Sequence, residues 1–296
     1  MYYFKYYILL FLVTIIWGSS FFFIKQSLNT INSYEFLFLR FFIATIVIAP
    51  FLLFNMRKIK LYDVVAGGLI GIFLFLVLLI TNISLEYLSS AKVAIYTGMS
   101  VIVIAIIDTL ILKKLSKLIL FSVCCSFIGL LLILELSSFS LQIGDSLGLI
   151  LCTVIAIHFI LTEKVTQNAN SFLIGVVQIY FAMILSFCSL LLFSTGLKNL
   201  HIISLFNNKE ILFSIIYTGA LGTALAFIIQ TICINKVSSI KAAVIFNFEP
   251  VVGLFFPILM AYYLNIENKL FTSVQFFGFF LIIISMFTII FDKKRV

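Results

Sequence analysis

Charged side chains make up only 10% of this 296-residue sequence, whereas hydrophobic residues make up 64%. Soluble domains carry about a quarter of charged residues, and they need polar side chains to cover a surface that faces water. The scarcity of charge therefore excludes a soluble globular protein. We interpret the chain as an all-α integral membrane protein.

Motifs for nucleotide and metal chemistry are also missing. The sequence has no G-x-x-x-x-G-K-[ST] phosphate loop, so we expect no nucleotide to bind this chain. It has no H-E-x-x-H motif, only two histidines, and five cysteines without metal-ligand spacing. We therefore predict no enzyme activity, no cofactor and no metal. An intramembrane enzyme would need a nucleophile or paired carboxylates that the sequence does not reveal.

Apolar segments dominate what is present. A helix of about 20 apolar residues crosses the hydrocarbon core of a bilayer, and the connections between such segments are short here. The sequence predicts ten transmembrane helices, at residues 6–27, 34–55, 64–84, 90–112, 118–137, 145–162, 171–193, 211–232, 241–264 and 270–291.

Lysine and arginine indicate the orientation of these helices. If the N-terminus is cytoplasmic, thirteen of the 19 basic residues fall at inner ends, and Arg40 lies within a helix. The five at outer ends are Lys25, Lys92, Lys198, Lys209 and Lys269. This positive-inside bias predicts a multi-pass protein of the cytoplasmic membrane with both termini in the cytoplasm. The basic residues are scattered over loop ends, so they do not indicate nucleic-acid binding.

An internal repeat divides the ten helices into two sets of five. Residues 84–100, SLEYLSSAKVAIYTGMS, align without a gap with residues 233–249, CINKVSSIKAAVIFNFE, 149 positions later. The repeat also pairs Arg40 with Gln178 and Gly71 with Ala220. Because each unit has an odd number of helices, the second must insert upside down. Residues 6–137 and 145–291 are thus predicted as inverted five-helix repeats, an architecture of secondary transporters.

Several stretches carry a family resemblance. WGSSFFFIKQSL (17–28), LRFFIATIVIAP (39–50), ISLEYLSSAKVAIYTGMS (83–100) and SSIKAAVIFNFEPVVGLFFPILMAYYL (238–264) resemble the EamA family of the drug/metabolite transporter superfamily. The resemblance covers nearly the whole chain as two EamA units. It implies export or exchange of amino acids or other small metabolites across the cytoplasmic membrane.

Charged residues within apolar helices are the first candidates for substrate contact, because burial without a partner is costly. Arg40 could bind a substrate carboxylate; alternatively it reaches the headgroups or pairs with Glu35. Glu249 could couple transport to a proton or face a substrate amine; alternatively it belongs to a helix-packing motif beside Pro250.

Further polar and aromatic residues are predicted at similar depth. We expect them to line a shared substrate site, although a buried histidine is more often a hydrogen-bonded packing residue. They are Trp17, Ser20, Tyr96, Ser100, His158, Gln178 and Asn247.

Lys92 and Lys241 begin the fourth and ninth helices at repeat-equivalent positions. A lysine in the first turn opposes the helix dipole, so helix formation does not explain it. Two interpretations remain: each lysine reaches its own membrane interface, or the two act as gates at opposite ends of one pathway.

Together these features predict a secondary transporter that moves a small polar metabolite, an amino acid or derivative, by alternating access as an exporter or exchanger. A coupling proton or an exchange substrate is possible, and membrane lipids surround the protein. The alternative is a passive channel or lipid scramblase on the same duplicated fold.

Overall fold

The computed structural model describes residues 3–112, 116–133, 143–193, 208–263 and 271–292, and in these ranges every regular element is helical. The α-helices are α1 (Phe4–Ser27), α2 (Ser33–Asn55), α3 (Leu61–Tyr87), α4 (Ser90–Gly98), α5 (Ser100–Leu112), α6 (Lys117–Ile133), α7 (Ile143–Thr166), α8 (Ser171–Phe193), α9 (Lys209–Ile216), α10 (Ala226–Val237), α11 (Ser239–Phe246), α12 (Glu249–Tyr263) and α13 (Ser273–Phe291). A π-helical stretch, Tyr217–Leu225, joins α9 to α10, and a short 3₁₀ helix, Met56–Lys58, follows α2.

These elements form nine segments long and apolar enough to cross a membrane and one shorter apolar helix, Lys117–Ile133, within the described ranges. Large apolar side chains such as Phe54 and Leu192 point outward, as expected for a surface in contact with lipid. The prediction of an all-α membrane protein is confirmed.

The predicted boundaries differ from the observed ones at several ends. The helix predicted at 145–162 runs from Ile143 to Thr166, because its polar first and last turns pack inside the protein. The predicted ends at residues 137 and 264 and the predicted start at 270 lie outside the described residues.

Helix packing follows the twofold repeat. The fifth helix, α6, packs on the tenth, α13, and the second, α2, packs on the seventh, α8. The third helix, α3, contacts α8, just as the eighth, with its π stretch, contacts α2. The first helix, α1, contacts α11 and α12, just as the sixth, α7, contacts α4 and α5. Each of these contacts between the repeats thus agrees with the twofold symmetry.

The two repeats run in opposite directions. We call the end at which α1 begins the near end and the opposite end the far end. At the far end the Ser90 hydroxyl donates to the carbonyl of Phe21, late in α1. Helix α12 runs alongside α1 in the same direction, so α11 begins at the near end, and there a carboxylate of Glu163, late in α7, accepts from the amide of Ser239. Equivalent helices α1 and α7 are therefore antiparallel, as an inverted repeat requires.

The fourth and ninth helices are both interrupted at equivalent positions. Met99 separates α4 from α5, and Asn247 and Phe248 separate α11 from α12. The second interruption has a clear cause, because Pro250 has no amide hydrogen to donate to the preceding turn. Paired interruptions of this kind are typical of substrate sites in inverted-repeat transporters.

Candidate functional site

A small cavity of about 70 Å³ lies between the two repeats. Both interrupted helices contribute to its wall, together with α1, α2, α3, α7 and α10. Its lining residues are Trp17, Ser20, Phe21, Ile24, Arg40, Val77, Leu78, Thr81, Thr97, Ser100, Ile155, His158, Phe159, Phe227, Phe246 and Glu249.

Arg40 is the principal cation of this cavity. Its side chain is 2% exposed, Nε donates to Thr223 Oγ1 at 2.7 Å, and Nη2 donates to the Gly222 carbonyl at 3.2 Å. Among the described residues it forms no ion pair, with Glu35 or any other carboxylate. The structure thus supports neither a headgroup contact nor a Glu35 pair. A guanidinium has five N–H donors, two of which are used in these bonds, and Arg40 lines the cavity.

The π-helical stretch positions Arg40. Its wider turns let Thr223 Oγ1 donate to the Thr218 carbonyl, five residues earlier, at 2.9 Å. The Gly222 carbonyl is also available to other elements, and it accepts from Trp17 Nε1 at 2.8 Å as well as from Arg40. Such local widening of a helix occurs frequently at functional sites. Here it brings a hydroxyl and a carbonyl to one guanidinium.

Aromatic rings form the wall next to Arg40. The Trp17 ring lies 4.9 Å from the ring of Phe227 and 5.0 Å from that of Phe246, between ring centroids. Phe159 lies 5.6 Å from Phe246. A ligand group beside the guanidinium would therefore meet a mostly apolar surface.

Glu249 supplies the acidic group of the cavity. It is the first residue of α12 and is 7% exposed, and the partial positive charge at a helix N-terminus favours a carboxylate there. Gly18 lets α1 approach closely, since a Cβ at that position would lie 2.8 Å from the Glu249 carbonyl. Thr97 and Ser100 contribute hydroxyls from the other interrupted helix.

His158 connects the cavity to a buried chain of hydrogen bonds. His158 Nε2 lies 3.3 Å from Gln178 Oε1, and Gln178 Nε2 donates to Thr231 Oγ1 at 2.8 Å. This chain joins α7, α8 and α10. Gln178 thus lies behind His158, outside the lining.

Two other predicted residues also lie outside the lining. Tyr96 points to the far end, where its hydroxyl donates to Asp145 Oδ1 at 2.8 Å. Asn247 is buried at the interruption of the ninth helix, and its side-chain amide has no hydrogen-bond partner among the described residues. A Cβ on Gly98, at the other interruption, would lie 3.3 Å from Asn247 Oδ1. The predicted residues that do line the cavity are Trp17, Ser20, Arg40, Ser100, His158 and Glu249.

Sequence reasoning missed some contributors. Phe227 and Phe246 complete the aromatic wall, but phenylalanine is so frequent in this chain, with 35 copies, that no signal distinguishes them. Thr223 was missed because its role depends on the π-helical register. Thr81 lies in the last two turns of α3, next to Asn82, and its polarity at the end of a long apolar run was the available signal.

Both predicted gating lysines form ion pairs. Lys92 Nζ lies 2.7 Å from Asp145 Oδ1, and Lys241 Nζ lies 3.2 Å from Asp292 Oδ2. Lys241 is buried. A lysine that only reaches its interface would instead leave its ammonium group in water.

Residues 144–148, GDSLG, also have the G-x-S-x-G spacing of hydrolase nucleophiles. That motif requires a sharp turn from a strand into a helix, whereas Ser146 lies in the first turn of α7, where its hydroxyl donates to the Ile143 carbonyl at 2.6 Å. The glycines serve packing: a Cβ on Gly148 would lie 2.3 Å from the ring of Tyr96.

Comparisons with known proteins agree with this architecture. The sequence model of the EamA-like transporter family matches residues 4–135 and again residues 142–291. A protein of Archaeoglobus fulgidus described as an uncharacterized transporter is 26% identical over 276 residues, which are 93% of this chain and 82% of that protein. A protein of known crystal structure superposes with a TM-score of 0.71 at 13% identity, covering 97% of this chain and 98% of that one, so it shares the fold.

Proposed function

The chain belongs to the EamA-like transporter family, and from this premise we propose that it moves an amino acid or a close derivative through the membrane by alternating access. It is a multi-pass membrane transporter. The substrate class, the mechanism and the direction, as exporter or exchanger, are the proposal.

We infer the substrate class from the position of Arg40. A guanidinium buried at the wall of a cavity, held from behind by Thr223 and Gly222 and without an ion pair, is suited to bind a carboxylate. Ser20 lies beside it: a Cβ on Gly222 would be 3.3 Å from Ser20 Oγ and 3.5 Å from Arg40 Nη2. The anionic group of the substrate would contact Arg40 and Ser20 together.

Glu249 provides a negative charge in the same cavity, and it would face the amine of a zwitterionic substrate. The rings of Trp17, Phe227 and Phe246 provide an apolar surface for the rest of the molecule. An amino acid with an apolar side chain satisfies all three features. A coupling proton or a second exchanged substrate would use the same carboxylate of Glu249.

Alternating access is supported by the inverted packing of the repeats. Two antiparallel units that enclose one cavity can rock about it and expose it to each side in turn. We further propose that the protein lies in the cytoplasmic membrane with both termini in the cytoplasm, since lysine and arginine are concentrated at the near end.

Transport by purified protein in proteoliposomes tests this function. Labelled leucine should enter faster when the vesicles are preloaded with unlabelled leucine, because a carrier returns faster when loaded, whereas a channel shows no such stimulation. Arg40→Gln should abolish uptake, and Arg40→Lys should retain part of it because the charge remains. Recovery of chemically altered leucine would instead indicate an enzyme. Unchanged uptake kinetics in Arg40→Gln would show that Arg40 does not bind the substrate.

A further inference from the structure

Two ion pairs occur among the described residues, and both involve repeat-equivalent lysines. They are Lys92–Asp145 at 2.7 Å and Lys241–Asp292 at 3.2 Å. We propose that these pairs are two latches, one for each end of the cavity, that open in alternation, and that Asp145 and Asp292 are their essential acidic partners. The proposal rests on the alternating-access function proposed above and assigns the residues that control it.

The two latches lie at opposite ends of the protein. Lys92 is in the first turn of α4, and α4 begins at the far end, beside the end of α1. Lys241 is in the first turn of α11, which begins at the near end. The direction of α11 and α12 is fixed by their contacts with α1, since Phe11 packs on Phe248 and Phe22 packs on Phe256.

Each latch fastens a half-helix that reaches the cavity. Helix α4 contributes Thr97 to the lining before its interruption at Met99, and α11 contributes Phe246 before its interruption at Asn247. The lysine lies at the outer end of each half-helix, and the interruption lies at the inner end. Release of the ion pair would free the outer end, while the interruption serves as the hinge.

The aspartates belong to neighbouring long helices. Asp145 is in the first turn of α7 and is buried, and it also accepts a hydrogen bond from Tyr96. Asp292 follows α13 directly, and its main-chain carbonyl accepts from Lys241 Nζ at 2.7 Å in addition to the side-chain contact. The latches are thus built alike but differ in burial: the Lys92 side chain is 20% exposed and that of Lys241 is 5% exposed.

Alternation follows from the cost of separating buried charges. Removing the partner of a buried ion leaves a charge in a medium of low polarity, which is strongly unfavourable. Opening both ends at once would separate two such pairs, whereas rocking opens one pair and keeps the other. The inverted repeat therefore disfavours a state that is open at both ends.

The test measures access to the cavity from each side, without substrate. The five native cysteines are replaced by serine, and Leu78→Cys on α3 places a reporter thiol in the cavity wall. A membrane-impermeant maleimide is added to right-side-out and inside-out vesicles. Asp145→Asn and Lys92→Met should increase labelling from the far-end side by about fivefold or more. Asp292→Asn and Lys241→Met should do so from the near-end side.

Matched controls separate the latches from surface charge. Lys209→Met and Lys58→Met remove exposed lysines at the far and near ends and should leave labelling unchanged. The exchanges Lys92→Asp with Asp145→Lys, and Lys241→Asp with Asp292→Lys, should restore labelling toward that of the parent.

Some results would overturn the proposal. These are unchanged labelling, equal increases from both sides, or an exchange variant that inserts normally but labels like the neutral variants. Because no substrate is present, a wrong substrate assignment would leave the expected labelling intact. Conversely, the leucine experiment can fail while the latches are confirmed.

Discussion

The main chain of Arg40 lies directly against Gly219: a Cβ at Gly219 would be 2.8 Å from the Arg40 carbonyl oxygen and 2.8 Å from Ile43 Cβ. This contact sets the distance between α2 and the π-helical stretch. Because the same stretch supplies the two groups that hold the guanidinium, the glycine determines where the charge of Arg40 lies.

The symmetry-related contact between the repeats, from α3 to α8, has the same geometry. A Cβ at Gly71 would be 2.8 Å from the Gln178 carbonyl oxygen and 2.8 Å from Phe181 Cβ. Gln178 and Phe181 follow Arg40 and Ile43 by the same 138 positions. The structural partner of Gly71 is therefore Gly219, one residue from the Ala220 that the sequence alignment predicts, because the π stretch shifts the register by a residue.

Alanine at either glycine should destabilise the protein. Gly219→Ala and Gly71→Ala would force a methyl group onto a neighbouring backbone, and overpacking of this kind costs about 1–3 kcal/mol. Gly175→Ala is the matched control, since its Cβ would meet its nearest neighbour at 3.4 Å, an ordinary contact. Thermal unfolding in detergent should show a lower midpoint for the first two variants only. Equal midpoints in all three would show that the helices separate without cost.

The hydroxyl of Thr223 should control substrate affinity through Arg40. Thr223→Val removes the acceptor of Arg40 Nε, and hydrogen bonds to charged groups contribute about 1.5–3 kcal/mol. We expect binding of leucine to weaken by about tenfold or more, while Thr223→Ser retains the parent affinity because it keeps the hydroxyl. Calorimetry on purified protein provides the measurement. Equal weakening in both variants would assign the effect to packing.

Much of this site could be predicted from mid-helix polarity. Trp17, Arg40, His158 and Glu249 stand out in apolar runs, and the cost of burying them indicates a shared cavity. The repeat of Ser-Ser-x-Lys at residues 89–92 and 238–241 identified both lysines as a pair.

Partners distant in sequence could not be predicted in the same way. Thr223 lies 183 positions from Arg40, and their contact depends on helix packing and on a π-helical register without a sequence signature. Asp145 lies in the first turn of α7, where the helix dipole favours an acidic residue in any case, and Asp292 follows the end of α13 next to other charged residues of the sequence, so neither stands out. Tyr96 is an amphipathic residue of the kind that often lines a cavity. Its side chain instead packs against Gly148, and that contact depends on the close approach of α7.

Trp17 should contribute to substrate binding through its indole N–H as well as through its ring. Trp17→Phe keeps an aromatic surface but removes the donor to the Gly222 carbonyl, which then accepts from Arg40 alone. A neutral hydrogen bond contributes about 1 kcal/mol, so we expect leucine affinity to fall by about fivefold. Trp17→Leu should lose more because the ring contacts with Phe227 and Phe246 disappear. If Trp17→Phe binds like the parent, the indole N–H has no part in the site.

Arg40 and Glu249 should respond differently to the two charges of a substrate. Leucine and 4-methylpentanoate share a carboxylate and a carbon skeleton, but only leucine has an amine. Glu249→Gln keeps the shape of the side chain and removes its charge, so it should weaken leucine binding by about tenfold and leave 4-methylpentanoate unchanged. Arg40→Gln should weaken both ligands, because both carry the carboxylate.

The comparison of the two ligands in the two variants distinguishes charge recognition from structural damage. Loss of packing would weaken both ligands in both variants by similar factors, whereas recognition of separate groups predicts that only one of the four measurements stays at the parent value. That one is 4-methylpentanoate with Glu249→Gln. Glu249→Gln could instead weaken the binding of 4-methylpentanoate as much as that of leucine. The carboxylate of Glu249 would then maintain the structure of the cavity without contacting an amine, and only the anion site at Arg40 would remain as evidence for the substrate class.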